Sequence, residues 1–530
     1  MLVAPLRRLL ALWVVLAVPA SAPALAQGPP PDLDAYVERV REAFGVPGLS
    51  VAIVHGGETV VARGYGTRHL GQDAPVDERT RFGIASNSKA FTATALGMLV
   101  EEGRLEWDAP VTRYLPGFAL SDPYVTAELT VRDLLVHRSG LSLGAGDLLW
   151  WPASTLSRAE TVRRLRGLPL ATSFRSQYAY DNVLYMVAGE VVGAVAGESW
   201  EAYVQTRILD RLGMADTRAS VREGLAGDNV SGTFATVDGR VVPVVAFDGE
   251  NANPAAGIVS TARDMARWMT VQLDSGRVAL PGVATGRLFS PATTEQLWAP
   301  AIPIPISPQP AETAALQAQF AGYALGFRVQ DYRGVKVVSH TGGLPGFVSQ
   351  VTMIPSLGLG VAVLTNGESG ASFQAVTQHV VDHYLGAPPT DWIAAFTARD
   401  ARFASFVADE VEANDVSRAS GTSPSLPLAA YAGTYRDPWY GEVTLALDGA
   451  AERGRSRLAI RFEHTPLLVG HLEHWHHDTF VVRWTDRTLR ADAYLTFALD
   501  HNGSVREARM VPASPAVDFS FDFQDLVLTQ

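Results

Sequence analysis

Ser86-Asn87-Ser88-Lys89 sets a serine hydroxyl and a lysine amine three residues apart, where the pattern predicts a helix over 86–102. Residues three apart share a helix face, so the amine can reach the hydroxyl. Backbone N–H groups at a helix N-terminus also point toward developing negative charge. A buried lysine can give up its proton and act as a base. The pair therefore reads as a serine nucleophile and its base. Ser-x-x-Lys is common by itself, but the composition sharpens it. The 43 basic residues are 41 arginines and two lysines, Lys89 and Lys336. Arginine cannot accept a proton, since its pKa exceeds about 12. A lysine kept against that bias marks a place that needs a titratable amine. Lys336 fits a surface cation better.

Two further groups have the same flavour. Tyr180-Asp181-Asn182 precedes the apolar helical run Val183 to Val192, and His340-Thr341-Gly342-Gly343 ends a predicted strand. In the order Ser-x-x-Lys, Tyr-x-Asn, His-Thr-Gly, these resemble the serine β-lactamase and penicillin-recognising hydrolase family, in its class C β-lactamase, DD-peptidase and esterase branch. Leu134–Leu141 with Tyr114-Leu115-Pro116 ahead of it, Ala256–Asp264, and the turn Gly342–Phe347 resemble other stretches of that family. The likeness covers roughly residues 30–385.

The resemblance implies roles. Ser86 is the acylated nucleophile, Lys89 its base partner, and Tyr180 the relay that protonates the leaving group. Asn182 hydrogen-bonds Lys89 and the substrate amide. His340 faces Tyr180 across the cleft, on a substrate-binding strand that continues through Thr341, Gly342 and Gly343. The N–H groups of Ser86 and Gly343 form the oxyanion hole. Tyr178 rivals Tyr180, and the spacing to Asn182 favours Tyr180. Whether Lys89 or Tyr180 takes the first proton stays open. His340 stands where classical β-lactamases carry lysine, and a neutral imidazole lacks the cation that binds a β-lactam carboxylate. The expected activity is therefore a peptidase, with D-residue peptides in view, or an esterase. A β-lactamase is the next alternative. A non-catalytic penicillin-recognising binding protein or sensor is the rival of another class. No metal or organic cofactor is implied, and the partner is a small-molecule or peptide substrate.

These residues need elements to hold them. Leu33, Val37, Val40 and Phe44 predict a helix over 32–44, and Leu49–Val54 and Thr59–Ala62 predict a hairpin. Strands return late, at Tyr323–Gln330, Val335–His340, Val348–Ile354 and Leu359–Leu364, after a mainly helical middle from about 128 to 285. The reading is an α/β (α+β) β-lactamase-like fold, an antiparallel sheet shared by both ends of the region and flanked by helices, plus a helical subdomain. Residues 391–413 read as helix and Ser417 to Pro427 as linker. Short alternating runs from Leu428 onward predict a small β-barrel. Leu428–Tyr435 and the His-Trp-His stretch resemble a lipocalin-like domain.

The division is a signal peptide (1–26), a hydrolase domain (27–385), a helix and linker (386–427) and the barrel domain (428–530). Arg7 and Arg8, an apolar run too short to span a bilayer, and Ala24-Leu25-Ala26 carry the signal-peptide reading. They predict a periplasmic or secreted protein with no integral membrane segment after cleavage. The formal charge of −12 argues against nucleic acid. With no cysteine there is no disulfide and no thiolate site. Six of the twelve histidines lie in the last domain, in and around His474-Trp475-His476-His477. They read either as a metal site or, better, as packing. That domain is a possible route to a homo-oligomer.

Overall fold

The structure is a computed structural model that describes residues 28–448 and 457–530. The signal-peptide stretch lies outside the described residues. The central element is an eight-stranded antiparallel sheet. Its order is Glu58–Gly66, Gly48–His55, Leu359–Thr365, Phe347–Ile354, Val335–Leu344, Arg328–Tyr332, Ala321–Tyr323 and Ile302–Pro303. Leu49 pairs with Thr365, so the two ends of the hydrolase region share one sheet. The helices Leu33–Ala43 and Gly370–Leu385 pack on one face and Ala262–Leu273 on the other. Strands covered on both faces are apolar on both, and Gly48–His55 and Leu359–Thr365 are buried almost throughout.

Three local readings are corrected. Tyr323–Gln330 is two strands, because Gly326 turns the chain at φ 80°. The middle region holds short helices and a hairpin, Phe234–Val237 with Arg240–Pro243, among many loops. The helix predicted over 86–102 is Ser88–Glu101, and it is buried on all sides as far as Leu99. Its small residues, Ala90, Ala93, Ala95 and Gly97, let neighbours close around it.

The helix Trp392–Ser417 leads to a closed barrel of eight strands, from Gly433–Asp437 to Leu528–Thr529. Barrel and hydrolase region share one apolar core, with Trp439, Phe521 and Phe523 in the same cluster as Leu148, Trp150 and Trp151. Arg164, on the hydrolase side, donates to the Trp439 carbonyl of the barrel region at 3.2 Å. The histidine-rich stretch is occupied by structural bonds. His476 Nδ1 accepts from the Ala419 amide at 3.2 Å, and the Arg418 guanidinium donates to the Trp475 carbonyl at 2.7 Å. Both tie the end of the long helix to the barrel.

Candidate active site

Ser86 sits in a tight turn, Ala85–Asn87, that precedes its helix. Ala85 is buried with φ 49°, a left-handed conformation costing a residue with a Cβ about 1 kcal/mol or more. Tertiary bonds hold it there. Asn87 Nδ2 donates to Ser349 Oγ at 2.8 Å, and Ser349 Oγ donates to the Ile84 carbonyl at 2.8 Å. The strand Val335–Leu344 passes so close that a Cβ on Gly342 would lie 2.3 Å from the Ile84 oxygen. A Cβ on Gly343 would meet nothing within 4 Å, because that residue opens onto the cleft.

Lys89 is fully buried, and its amine touches three oxygens: Ser86 Oγ at 3.0 Å, Asn182 Oδ1 at 2.7 Å and the Ala255 carbonyl at 3.0 Å. Burial pushes its pKa down to about 7, against the pull of Asp147 and Asp181. A neutral amine has two hydrogens and one lone pair. Asn182 Oδ1 and the Ala255 carbonyl are acceptors only, so they take both hydrogens. The lone pair is then left to the Ser86 hydroxyl. Lys89 Nζ also lies 5.0 Å from the Tyr180 ring centre.

Asn182 caps the buried helix Val183–Ala196. Its Nδ2 donates to Asp147 Oδ2 at 2.8 Å, which fixes the amide so that its oxygen faces Lys89. Asp147 also accepts from Trp150 Nε1 and from Ser520 Oγ, both at 2.8 Å. Burial pushes its carboxyl up to about 7. Ser520 belongs to the barrel's last segment, so the barrel reaches through Asp147 and Asn182 to the Lys89 amine beside Ser86.

Tyr180 is hydrogen-bonded to Ser86, and burial raises its phenol well above the ordinary value. Its ring is 6.2 Å from that of His340. Tyr178 is set back, 5.8 Å from the His137 ring, and lines the same cleft. His340 Nδ1 lies 2.6 Å from the Thr341 carbonyl and therefore carries the hydrogen, leaving Nε2 to accept from the Tyr323 hydroxyl at 2.7 Å. Burial, with Lys89 adding, pushes His340 down to about 3. The imidazole is neutral at physiological pH.

The cleft has a volume of about 590 Å³ and brings Ser86, Tyr180, Asn182, His340, Thr341, Gly342 and Gly343 together, with Lys89 behind. Trp150 and Trp151 line it while remaining buried. Arg328 lines it too, donating to Gln330 Oε1 at 2.9 Å. It forms no ion pair among the described residues. Sequence reasoning missed Asp147, Ala255, Tyr323, Ser349 and Ser520. Asp147 alone left a signal: an acid set directly before Leu148-Leu149-Trp150-Trp151 is an acid pulled into apolar surroundings. Among the described residues no cluster of three metal-ligating side chains occurs, and no helix is long and apolar enough to cross a membrane.

Comparison with known proteins places these features in context. The β-lactamase family profile matches residues 33–385, and a domain of unknown function (DUF3471) matches 417–530. The chain is 30% identical to unguisins hydrolase ungD of Aspergillus violaceofuscus over 79% of its own length and 77% of the relative's. The octameric penicillin-binding protein homologue of Pyrococcus abyssi superposes with a TM-score of 0.59 at 21% identity, covering 94% of this chain and 99% of that one. The D-amino acid amidase of Ochrobactrum anthropi, solved with L-phenylalanine amide, superposes with a TM-score of 0.54 at 23% identity, covering 67% and 98%.

Proposed function

The chain belongs to the β-lactamase family, and from that membership we propose an exported serine hydrolase that opens amide or ester bonds through an acyl-enzyme. One observation carries the reading. Both hydrogens of the neutral Lys89 amine are engaged by carbonyl acceptors, which aims its lone pair at the Ser86 hydroxyl.

The geometry supports the following steps. Lys89 takes the Ser86 proton as Oγ attacks the substrate carbonyl carbon. The carbonyl oxygen becomes an oxyanion, received by the Ser86 and Gly343 N–H groups. As the tetrahedral intermediate collapses, Tyr180 gives its proton to the departing nitrogen or oxygen and is refilled from the Lys89 ammonium. Water then releases the acyl group, with Lys89 again the base. The high pKa of Tyr180 favours Lys89 over Tyr180 as the first acceptor. The hydrolase-named relative and the amidase-like fold support amide chemistry, so peptides, D-residue peptides among them, come first and simple esters second. The neutral His340 puts β-lactams third. Arg328 is the cleft's available cation for a carboxylate-bearing substrate.

A fluorophosphonate probe tests the nucleophile. It should label the wild-type chain on Ser86 and fail on Ser86→Ala. Equal labelling of the two sinks the assignment. Hydrolysis that survives Ser86→Ala and stops with a chelator favours a metal-dependent site instead.

A further inference from the structure

A second chamber, of about 420 Å³, opens beside the catalytic cleft and shares Trp151, Gly343 and Asp518 with it. That is within the roughly 300–1,000 Å³ range of ligand pockets. Its walls come from both domains. Phe247 and Leu344 stand on the hydrolase side, and Leu467, Leu489 and Phe521 on the barrel side. The apolar lining suits a bulky hydrocarbon group.

Its charged lining is lopsided. Asp248, Glu368, Asp486 and Asp518 line it against a single cation, Arg490. Arg490 is already paired with Glu368. Asp486 is occupied by the Thr488 amide and hydroxyl, at 2.9 and 2.6 Å. Asp518 accepts from the Ser520 amide at 2.9 Å and lines both cavities. Asp518 is exposed, so its carboxylate is open to a bound cation.

The chemistry gives the chamber a direction. In the proposed mechanism Tyr180 protonates the leaving group, and its ring stands 6.2 Å from His340, which sets the leaving side toward His340. The strand then runs from His340 to Gly343, roughly 10 Å at about 3.3 Å per residue. On that reading the half of the substrate that stays on Ser86 points the other way, past Gly343 and Leu344, toward the chamber.

We propose that the inter-domain chamber is the acyl-side subsite and selects an amino-terminal residue with a bulky apolar side chain, its free ammonium facing Asp518. This rests on the reading of Ser86 as the acylated nucleophile. The barrel is then a wall of the specificity site, and the preferred substrate is a peptide or amide with an unblocked amino end.

The test uses the full chain and three p-nitroanilides, those of phenylalanine, alanine and N-acetylphenylalanine, in D and L forms. Ratios of kcat/KM are taken within each variant, so any loss of folded protein divides out. Wild type should prefer phenylalanine over alanine, and the free amine over the acetylated form, each by about tenfold or more. Leu489→Trp fills the chamber and should cut the first ratio at least about tenfold. Asp518→Asn should bring the second ratio to near one. Flat ratios in wild type, or unchanged ratios in both variants, overturn the chamber while Ser86 still takes the fluorophosphonate. Wild type that takes no label overturns the acyl-enzyme reading beneath it.

Discussion

At Lys89 two opposed effects set the proton. Burial disfavours the ammonium, Asp147 and Asp181 favour it, and the balance lies near 7. The base must be neutral to work. Activity should therefore be lost as pH falls through about 7, with kcat/KM dropping about tenfold per unit below it and levelling above. His340, pushed down to about 3, cannot supply that limb. A pH profile with no limb between 6 and 8 would remove Lys89 from the role. Lys89→Arg is the sharper change. It keeps a cation but cannot accept a proton, and burst-phase acylation of a p-nitrophenyl ester should fall by about 10³ or more. Acylation within tenfold of wild type would make the amine dispensable. The count of two lysines pointed at this residue because arginine can do everything here except release a proton.

The elements holding Ser86 owe their precision to one close approach. The strand Val335–Leu344 crosses the Ser86 turn where Gly342 has no side chain to intervene. Gly342→Ala should push strand from turn, cost about 1–3 kcal/mol and lower the unfolding midpoint together with activity. Gly343→Ala, one residue on, meets open space and should leave the midpoint within a degree or two. Calorimetry of the pair decides it, and equal midpoints would mean the approach is slack. The strands themselves were readable, since runs such as Leu359–Leu364 carry their burial in their composition. The turn was not. A helix starting at Ser86 is what propensity predicts, whereas the chain adopts a left-handed Ala85 because Ser349, 265 residues from Ile84, bonds to it. Contacts of that separation leave no mark in local sequence. Tyr323, only 17 residues from the His340 it bonds, was hidden for another reason: the turn at Gly326 splits the predicted strand and leaves Tyr323 on a strand of its own.

Across the whole molecule, the barrel's final segment and the loop after His137 are bolted together beside the Lys89 amine. Ser142 Oγ donates to Asp525 Oδ2 at 2.8 Å, the Gly146 amide donates to Asp522 Oδ2 at 2.6 Å, and Ser520 Oγ donates to Asp147 Oδ2 at 2.8 Å. Ser520 and Asp147 are 373 residues apart, so neither could be matched to the other from sequence. Their bond ties the barrel to the titration of Lys89. The Ser520 hydroxyl, with Trp150 and Asn182, stabilises the Asp147 carboxylate against burial. Without it Asp147 binds its proton more tightly and carries less negative charge at neutral pH. That charge is what raises Lys89, so Lys89 then loses its proton at lower pH. Ser520→Ala should accordingly move the acid limb of kcat/KM downward by a few tenths of a unit. Ser520→Thr, which keeps the hydroxyl, should return it. Ser142→Ala also removes an inter-domain bond but does not touch Asp147, and its limb should stay in place. A shift shared by Ser142→Ala and Ser520→Ala, or absent from both, would reduce the barrel's contact to mechanical support. A shift confined to Ser520→Ala makes the barrel part of the circuit that sets the catalytic proton.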